Sequence, residues 1–294
     1  MIRVGPAGWS YADWEGVVYP RRKPRGFHPL SHLARFVDCV EVNSSFYAVP
    51  RAEHAKRWLR EVEAAPGFRF TAKLLGAFTH ETLPEEERVF DELARAWLEG
   101  IEPLRAAGRL AAVLVQFPIG FRHTGAAVER LERIASAFGH LALVLEVRHR
   151  SWYGPDALRA VERLGYSLAR IDLPAAREHP PEDAPAFGPI GYLRLHGRNS
   201  DTWFAREAGR DQRYDYLYSP AEVEQLVRVT RVLAGGADET YVITNNHFSG
   251  KAVANALELM AALSQERPLA PVELLERYPR LRATTRPDGQ DVLF

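Results

Sequence analysis

The chain has 294 residues, 46% of them hydrophobic, and its 38 basic residues balance its 38 acidic ones. This length suits one α/β barrel, which needs about 250 residues, and the zero net charge excludes a general attraction to nucleic acid or membranes. Because Cys39 is the single cysteine and no apolar run approaches the roughly 20 residues of a membrane span, we expect a cytoplasmic protein with no internal disulfide and no membrane partner.

Short β-branched runs alternate with helical segments along the chain, a pattern that predicts parallel strands with crossover helices. We expect eight strands, near residues 2–7, 38–43, 68–73, 110–117, 141–148, 167–172, 190–197 and 240–246. Apolar residues at helical spacing predict helices between them, at residues 51–64, 85–107, 125–138, 155–164, 219–234 and 250–263. Ser219 followed by Pro220 and Glu222 predicts a capped start for one of these helices.

Three long segments follow strands: residues 8–30, 173–189 and 197–218. This organisation predicts a single (β/α)8 TIM-type barrel over residues 1–264, with residues 265–294 as an extension packed on it or trailing from it. In such a barrel the carboxyl ends of all strands open onto one face, where catalytic groups gather. We therefore expect the three long segments to overhang the active face.

Two glutamates, Glu41 and Glu146, lie near the ends of predicted strands, each between two valines. Strand alternation turns both carboxylates toward the barrel axis. Such a pair can act as general base and general acid, and the alternative is two buried ion pairs with Arg148 and Arg194. We predict catalytic roles for both glutamates.

Lys73 ends the third predicted strand, after Phe70-Thr71-Ala72. An inward lysine can hold a substrate anion, can form a Schiff base if burial lowers its pKa, or can pair with Glu41 on the adjacent strand. We include Lys73 among the catalytic residues and favour ion pairing together with a substrate anion.

Basic side chains gather at the same predicted rim. Arg148, Arg194 and Arg198 suit a phosphate or carboxylate through paired donors. His196 shares its strand face with Arg194, so we predict it as the acid or orienting group, and His80, after the third strand, as a substrate contact.

Neutral polar and aromatic side chains complete the predicted binding site. Amides can read hydroxyls or bases, or stabilise an oxyanion; the candidates are Asn43, Gln116, Asn245 and Asn246. Aromatic rings at the rim can stack on a sugar or nucleobase, or simply cap the core; the candidates are Trp9, Tyr11, Phe46, Tyr47 and Trp152.

A divalent metal is an alternative reading of the acidic groups. The ligands would be Glu41, Glu146, Asp172 and His196, from four strands. No HxxH, HxH or HExxH spacing is present, and Lys73 and the arginines would repel a cation. We therefore predict neither a metal nor another cofactor.

Several short blocks stand in order along residues 1–264. They are Gly8-Trp9-Ser10-Tyr11 with Trp14 and Tyr19-Pro20, Val40-Glu41-Val42-Asn43-Ser44-Ser45-Phe46-Tyr47, Phe70 to Lys73 with Thr79-His80, Gln116-Phe117-Pro118, Glu146-Val147-Arg148-His149 with Ser151-Trp152, Arg194-Leu195-His196-Gly197, Asn245-Asn246, and Gly250, Ala252, Asn255 and Ala256. Together they resemble the domain of unknown function 72 family. The resemblance implies a TIM-type barrel and no established reaction. Ser45 and Ile119-Gly120 depart from the family pattern without removing a charged group.

The residues together predict an enzyme that performs acid–base chemistry on a polar, anionic small molecule, such as a phosphorylated sugar or a nucleotide-like compound. The reaction class, whether lyase, hydrolase or isomerase, stays open. One alternative is a nucleic-acid-processing protein akin to apurinic-site endonuclease barrels, with aromatic loops beside the bases. The other is a non-catalytic ligand-binding protein, which complete pairing of Glu41 and Glu146 with arginine would favour.

Overall fold

The computed structural model describes residues 1–203, 205, 207 and 209–289. Within them, nine parallel strands form two sheets. The four-stranded sheet has the order β1 (Ile2–Pro6), β9 (Glu239–Thr244), β8 (Ile190–Leu195) and β7 (Arg170–Asp172). The five-stranded sheet runs in chain order through β2 (Cys39–Val42), β3 (Arg69–Lys73), β4 (Leu110–Gln116), β5 (Leu143–Glu146) and β6 (Ser167–Leu168).

Backbone contacts link the two sheets at both ends. A parallel bridge joins Ala7 to Glu41, and the Gly8 amide donates to the Glu41 carbonyl at 2.9 Å. At the other end, the predicted strand 167–172 is interrupted at Ala169, which separates β6 from β7. The Ala169 amide donates to the Leu145 carbonyl at 2.9 Å. The architecture is therefore an α/β fold with parallel sheets.

The six predicted helices are present with ends within about three residues of their predicted bounds. They are α3 (Ala52–Glu61), α5 (Glu87–Ala106), α6 (Gly125–Phe138), α7 (Pro155–Arg163), α10 (Pro220–Gly235) and α11 (Lys251–Ser264). The capped start at Ser219 is confirmed, since its hydroxyl accepts from the Glu222 amide while the Glu222 carboxylate accepts from the Ser219 amide.

Short helices were not predicted, because segments of four to six residues are too short to show an apolar periodicity. They are α1 (Pro29–Leu33), α2 (Ser44–Tyr47), α4 (Gly76–Thr79), α8 (Ser200–Trp203), α9 (Arg210–Arg213) and α12 (Val272–Arg277). Residues 173–189, all of which the structure describes, contain no helix between β7 and β8.

The strands lie between two clusters of buried apolar residues. A small one consists mainly of strand residues such as Leu114, Tyr192 and Ile243, and it contains the fully buried Cys39. A larger one joins the opposite strand faces, including Leu193 and Leu195, to the helices. Alternation along β8 therefore puts Tyr192 and Leu193 on opposite faces, and it is the Tyr192 face that carries the charged residues.

The C-terminal segment packs against the rest of the chain up to residue 289. Strands β10 (Leu269–Ala270) and β11 (Arg286–Pro287) pair in parallel, and Arg280 donates to the Glu258 carboxylate at 2.8 Å. The last five residues of the predicted extension, 290–294, lie outside the described residues. No helix in the described part of the chain is long and apolar enough to cross a membrane.

Candidate functional site

One guanidinium, that of Arg194 on β8, binds both predicted glutamates. Its Nη2 donates to Glu41 Oε1 at 2.7 Å and its Nη1 donates to Glu146 Oε2 at 2.6 Å. Glu41 is the penultimate residue of β2 and Glu146 is the last residue of β5. Both side chains are fully buried. Both carboxylates therefore face inward, as strand alternation predicted. The ion pairs with arginine that the sequence left open as an alternative are present.

Glu146 has two further cationic or polar neighbours. Arg148, just beyond the end of β5, donates from Nε at 3.0 Å to Oε1, and His196 Nε2 lies 3.5 Å from the same oxygen. Burial alone raises a carboxyl pKa, but Arg194, Arg148 and His196 outweigh it and hold the pKa of Glu146 well below its usual value. Glu146 is therefore ionised at neutral pH.

Glu41 receives its second donor from a residue absent from the sequence prediction. The Tyr192 hydroxyl donates to Glu41 Oε2 at 2.9 Å and lies 2.8 Å from Thr71 Oγ1. Tyr192 stands two residues before Arg194 on the same strand face, so the alternation that selected Arg194 and His196 would have selected it too. All of these groups are buried.

Tyr192→Phe is expected to lower the free energy of unfolding by about 1–3 kcal/mol, because it leaves one oxygen of a buried carboxylate without a donor. Urea denaturation at pH 7 measures this change. Tyr47→Phe is the matched control: Tyr47 is 73% exposed, so a change within about 0.5 kcal/mol is expected. Equal losses in the two variants would contradict the buried contact.

His196 is held between Glu146 and Asn245. The Asn245 amide nitrogen lies 3.1 Å from His196 Nδ1, which leaves the ring proton on Nε2, facing Glu146. Burial lowers the pKa of His196 to about 3, so the ring is neutral at pH 7. The rings of Trp203 and Tyr214 lie over it, each with a centroid separation of 6.1 Å.

Lys73 is the cation of this group that faces no carboxylate. Its Nζ donates to Gln116 Oε1 at 2.9 Å and lies 4.0 Å from the Phe46 ring centroid. Within the described part of the chain no carboxylate oxygen lies within 4.0 Å of it, so the salt bridge to Glu41 that the sequence allowed is absent. Burial and the nearby Arg194 lower the pKa of Lys73 to about 7.

The charges at this end of the strands do not cancel. Three cations, Lys73, Arg148 and Arg194, face two carboxylates, Glu41 and Glu146. With Lys73 protonated the group has one positive charge in excess. Arg194 is buried with both carboxylates, whereas Lys73 and Arg148 are partly exposed. The excess charge therefore lies at the partly exposed surface formed by Lys73 and Arg148, which we call the Lys73 rim.

A cavity of about 600 Å³ opens beside the exposed His80, and its lining includes Thr82, Arg130 and Arg133. His80 Nδ1 lies 2.8 Å from Thr79 Oγ1, and its ring packs edge-on against Phe46. Burial, Lys73 and Arg148 lower the pKa of His80 to about 4, so it is neutral at pH 7. His80 thereby connects the cavity to the Lys73 rim.

Arg130 was missed by the sequence analysis because it lies inside α6, away from any strand end. Its Nε and Nη2 donate to the carbonyls of Phe78 and Glu81 at 2.9 and 2.6 Å. Carbonyl partners leave its positive charge unneutralised. The lining of the cavity contains Arg130 and Arg133 but also Glu81 and Glu129, so its two basic and two acidic residues balance.

The four residues of the metal alternative, which the sequence analysis did not favour, are not assembled around a common point. Arg194 lies between the two carboxylates, in the position that a shared cation would take. Asp172 instead binds Arg198 at 2.6 Å and Tyr218 at 2.7 Å. Across residues 1–203, 205, 207 and 209–289, no group of three or more potential ligands is placed to hold a metal.

Other predicted site residues lie apart from Lys73. Arg198 binds Asp172 and Glu222, and Asn246 is buried, donating to the Tyr216 carbonyl and to Asn255. Neither residue therefore contacts Lys73, and the buried Asn246 is occupied by protein partners.

The predicted aromatic residues are also dispersed. Trp152 is fully buried and donates to the Phe121 carbonyl, so it belongs to the core rather than the rim. Trp9 packs on Trp58, and Tyr11 stacks on His247. Tyr47 is exposed beside Phe46, and Asn43 is partly exposed at the start of α2. Of the five aromatic candidates, Phe46 is the one that contacts Lys73.

Comparison with known proteins gives matches along most of the chain. The family model described as "Protein of unknown function DUF72" matches residues 3–278. The UPF0759 protein YunF of Bacillus subtilis is 28% identical over 289 residues, covering 93% of this chain and 99% of YunF. The UPF0759 protein YecE of Escherichia coli is 30% identical over 155 residues, about half of each chain.

Solved structures show the same similarity. The DUF72 family protein TM1631 of Thermotoga maritima is 31% identical, with a TM-score of 0.75 over 90% of this chain and 99% of its own. The DUF72 family protein EF0366 of Enterococcus faecalis is 28% identical, with a TM-score of 0.75 over 90% of this chain and 96% of its own. These relatives share the fold described above.

Proposed function

The chain belongs to the DUF72 family of proteins of unknown function, so its activity has to be inferred from its own residues, and we propose that it is an enzyme that moves protons to and from a polar, anionic small molecule. The observation that carries this proposal is the environment of Lys73. Its ammonium group faces a neutral amide and an aromatic ring at a partly open rim, while the two glutamates nearby are already bound by arginine.

Lys73 is the proposed proton carrier, in place of Glu41 and Glu146. A general base works best when its pKa lies near the working pH, and the pKa of Lys73 is lowered to about 7. The pKa of Glu146 is held well below its usual value by Arg194 and Arg148, which makes it a weak base. We assign to both glutamates the role of holding Arg194, and to Glu146 that of orienting Arg148.

The proposed substrate carries a phosphate or a carboxylate. Arg148 stays charged when Lys73 is neutral, and its guanidinium can donate paired hydrogen bonds to the oxygens of an anion. When Lys73 is protonated, the rim has one further positive charge that favours the bound anion. The neutral His80 ring offers a hydrogen bond to a hydroxyl group, while the Gln116 amide holds Lys73 in place. A phosphorylated sugar or a nucleotide-like compound matches this combination of groups.

In the proposed reaction the neutral amine of Lys73 accepts a proton from the bound substrate. The charge that develops on the substrate is then stabilised by Arg148 and by the new ammonium group. Lys73 returns the proton in a later step, as a lyase or isomerase requires. An anion bound next to Lys73 also raises its pKa, because an opposite charge favours the protonated form.

We further propose that the two sheets close into one (β/α)8 barrel and that the protein works in the cytoplasm. Support for closure comes from the Ala7–Glu41 bridge on one side and the Ala169 to Leu145 hydrogen bond on the other. With β6 and β7 counted as one interrupted strand, the strands then form a ring of eight. The buried, unpaired Cys39 suits a reducing compartment.

The proposal can be tested without knowing the substrate. The protein is incubated with a small-molecule extract in D₂O, and mass spectrometry follows compounds that gain a deuterium or are consumed. Wild type is expected to change at least one anionic compound, and Lys73→Met and Lys73→Arg are each expected to slow that change by about 10²–10⁴-fold. Lys73→Arg keeps the charge but cannot release a proton near pH 7.

Lys56→Arg is the matched control, because Lys56 is exposed on α3, and it is expected to act like wild type. No changed compound with wild type, or an unchanged rate in Lys73→Arg, would contradict the proposal.

A non-catalytic ligand-binding protein is the second candidate, favoured by the complete engagement of both glutamates with donors. Native mass spectrometry separates the two candidates. A binding protein retains an anionic compound that wild type leaves unchanged in D₂O, and Arg148→Ala loses that compound.

A further inference from the structure

A second cavity, of about 920 Å³, lies on the outer side of β7 and β8. The segment that connects these strands, residues 173–189, contains no helix, although a crossover helix normally covers such strands. The cavity is in this uncovered space, between residues 170–184 and helix α10. Leu193 lines it, and Leu193 is on the strand face opposite to Arg194. The cavity is thus separate from the Lys73 rim.

The walls of this cavity are strongly basic. Five arginines line it: Arg150, Arg170, Arg177, Arg198 and Arg228. The acidic lining residues are Asp172 and Glu182, which leaves three positive charges in excess.

The basic side chains are not equivalent. Arg198 is neutralised by Asp172. Arg170 donates to the carbonyls of Ala184 and Glu182, and Arg150 donates to the Arg177 carbonyl. For the arginines other than Arg198, no carboxylate partner within 4.0 Å occurs among the residues that the structure describes. Their charge is therefore available to a ligand.

The floor of the cavity is aliphatic. Leu193, Leu226, Val229, Ile171 and Leu173 contribute to it, and no Phe, Tyr or Trp is among the described lining residues. A volume of this size suits a small organic molecule. Without an aromatic ring for stacking, the lining favours an aliphatic body over a nucleobase.

We propose that this cavity binds an aliphatic polyanion, a small molecule that carries two or more carboxylate or phosphate groups. Arg177, exposed on the segment 173–189, and Arg228, exposed on α10, bind its anionic groups. Arg170 is fixed by its carbonyl partners and adds a positive charge to the lining. This site does not depend on the function proposed for Lys73.

Isothermal titration calorimetry at low ionic strength tests the site, with tricarballylate and inorganic pyrophosphate as probes. Lys73→Met is used as the background because it removes the excess positive charge of the rim. Saturable binding is expected, and adding Arg177→Ala and Arg228→Ala together is expected to weaken it at least 30-fold, because two charge-assisted hydrogen-bonding groups are lost.

Arg177→Ala with Arg231→Ala is the matched control for charge, since Arg231 is exposed on α10 three residues beyond Arg228 and does not line the cavity. This pair is expected to bind at least fivefold more tightly than the pair with Arg228→Ala. Absence of saturable binding, or equal weakening by the two pairs, would overturn the proposal. Because Arg177 and Arg228 are exposed, both pairs are expected to fold, which thermal unfolding verifies.

Discussion

Replacing Arg194 by methionine is expected to lower the free energy of unfolding by about 3–5 kcal/mol at pH 7, the largest effect of any single substitution considered for this protein. The change leaves Glu41 and Glu146 as two fully buried carboxylates that share no cation. Glu146 keeps Arg148, whereas Glu41 keeps only the Tyr192 hydroxyl. An uncompensated buried charge costs far more than a lost surface ion pair.

The loss should depend on pH. In wild type the pKa of Glu146 lies well below its usual value, so its contribution to stability is present above the unfolded pKa of about 4.5 and is lost as the pH falls further. In Arg194→Met, one of the cations that oppose the effect of burial is gone, which favours the protonated form of Glu146. The difference in unfolding free energy between wild type and variant is therefore expected to be smaller at pH 4.5 than at pH 7.

Urea denaturation at both pH values, followed by circular dichroism, measures this difference. Arg163→Met is the control, since Arg163 pairs with Glu132 at the surface and should cost less than about 1 kcal/mol. If Arg194→Met is too unstable to purify, the triple variant Glu41→Gln, Glu146→Gln, Arg194→Met is expected to recover much of the stability, because the buried charges go together. A loss in Arg194→Met no greater than in Arg163→Met would contradict the bridge.

Lys73→Met is expected to do the opposite and stabilise the protein near neutral pH. Burial and Arg194 lower the pKa of Lys73 to about 7, from 10.5 in an exposed lysine. Below about pH 7 the folded protein contains a buried ammonium group, which lowers its stability. Between pH 7 and 10.5 the unfolded state binds more protons at Lys73 than the folded state does, so the stability of the wild type increases as the pH rises. After allowance for partial solvent exposure and the lost contact with Phe46, we expect a gain of roughly 1–3 kcal/mol at pH 6.

That gain should disappear by about pH 10, and denaturation across this pH range measures it. The chain has only four lysines, Lys23, Lys56, Lys73 and Lys251, so ¹³C-lysine labelling lets NMR follow each one separately. One resonance, absent in Lys73→Met, is expected to titrate near pH 7 and to shift upward when phosphate is added. Titration of Lys73 near pH 10, or a stability change that does not vary with pH, would show that its charge is compensated.

Charged groups that lower stability, such as Lys73, are common at functional sites, where activity and stability make opposing demands. In the proposed function, the excess positive charge that lowers the stability of the rim is the same property that would bind an anion. The cavity on the outer side of β7 and β8 follows the same logic, with arginines that face carbonyls rather than carboxylates. Both sites can be examined independently, because separate variants remove each one.

The order of strands and long helices could be predicted from the sequence, since it depends on local patterns of apolar residues. The inward direction of Glu41, Glu146 and Arg194 followed in the same way, because alternation along a strand depends only on the strand itself. Two features escaped the local pattern: the break at Ala169 and the short helices. Neither a two-residue strand nor a single helical turn is long enough to show a period.

Only the tertiary structure decided which charges neutralise one another. Arg194 and Glu41 are 153 positions apart in the chain, and nothing local shows that one guanidinium binds two carboxylates. Lys73 contacts Gln116 instead of Glu41, and Asp172 and Arg198 belong to a separate network. The sequence by itself therefore determined which residues face the interior, whereas strand order and side-chain reach determined which carboxylates are occupied and which ammonium group is available.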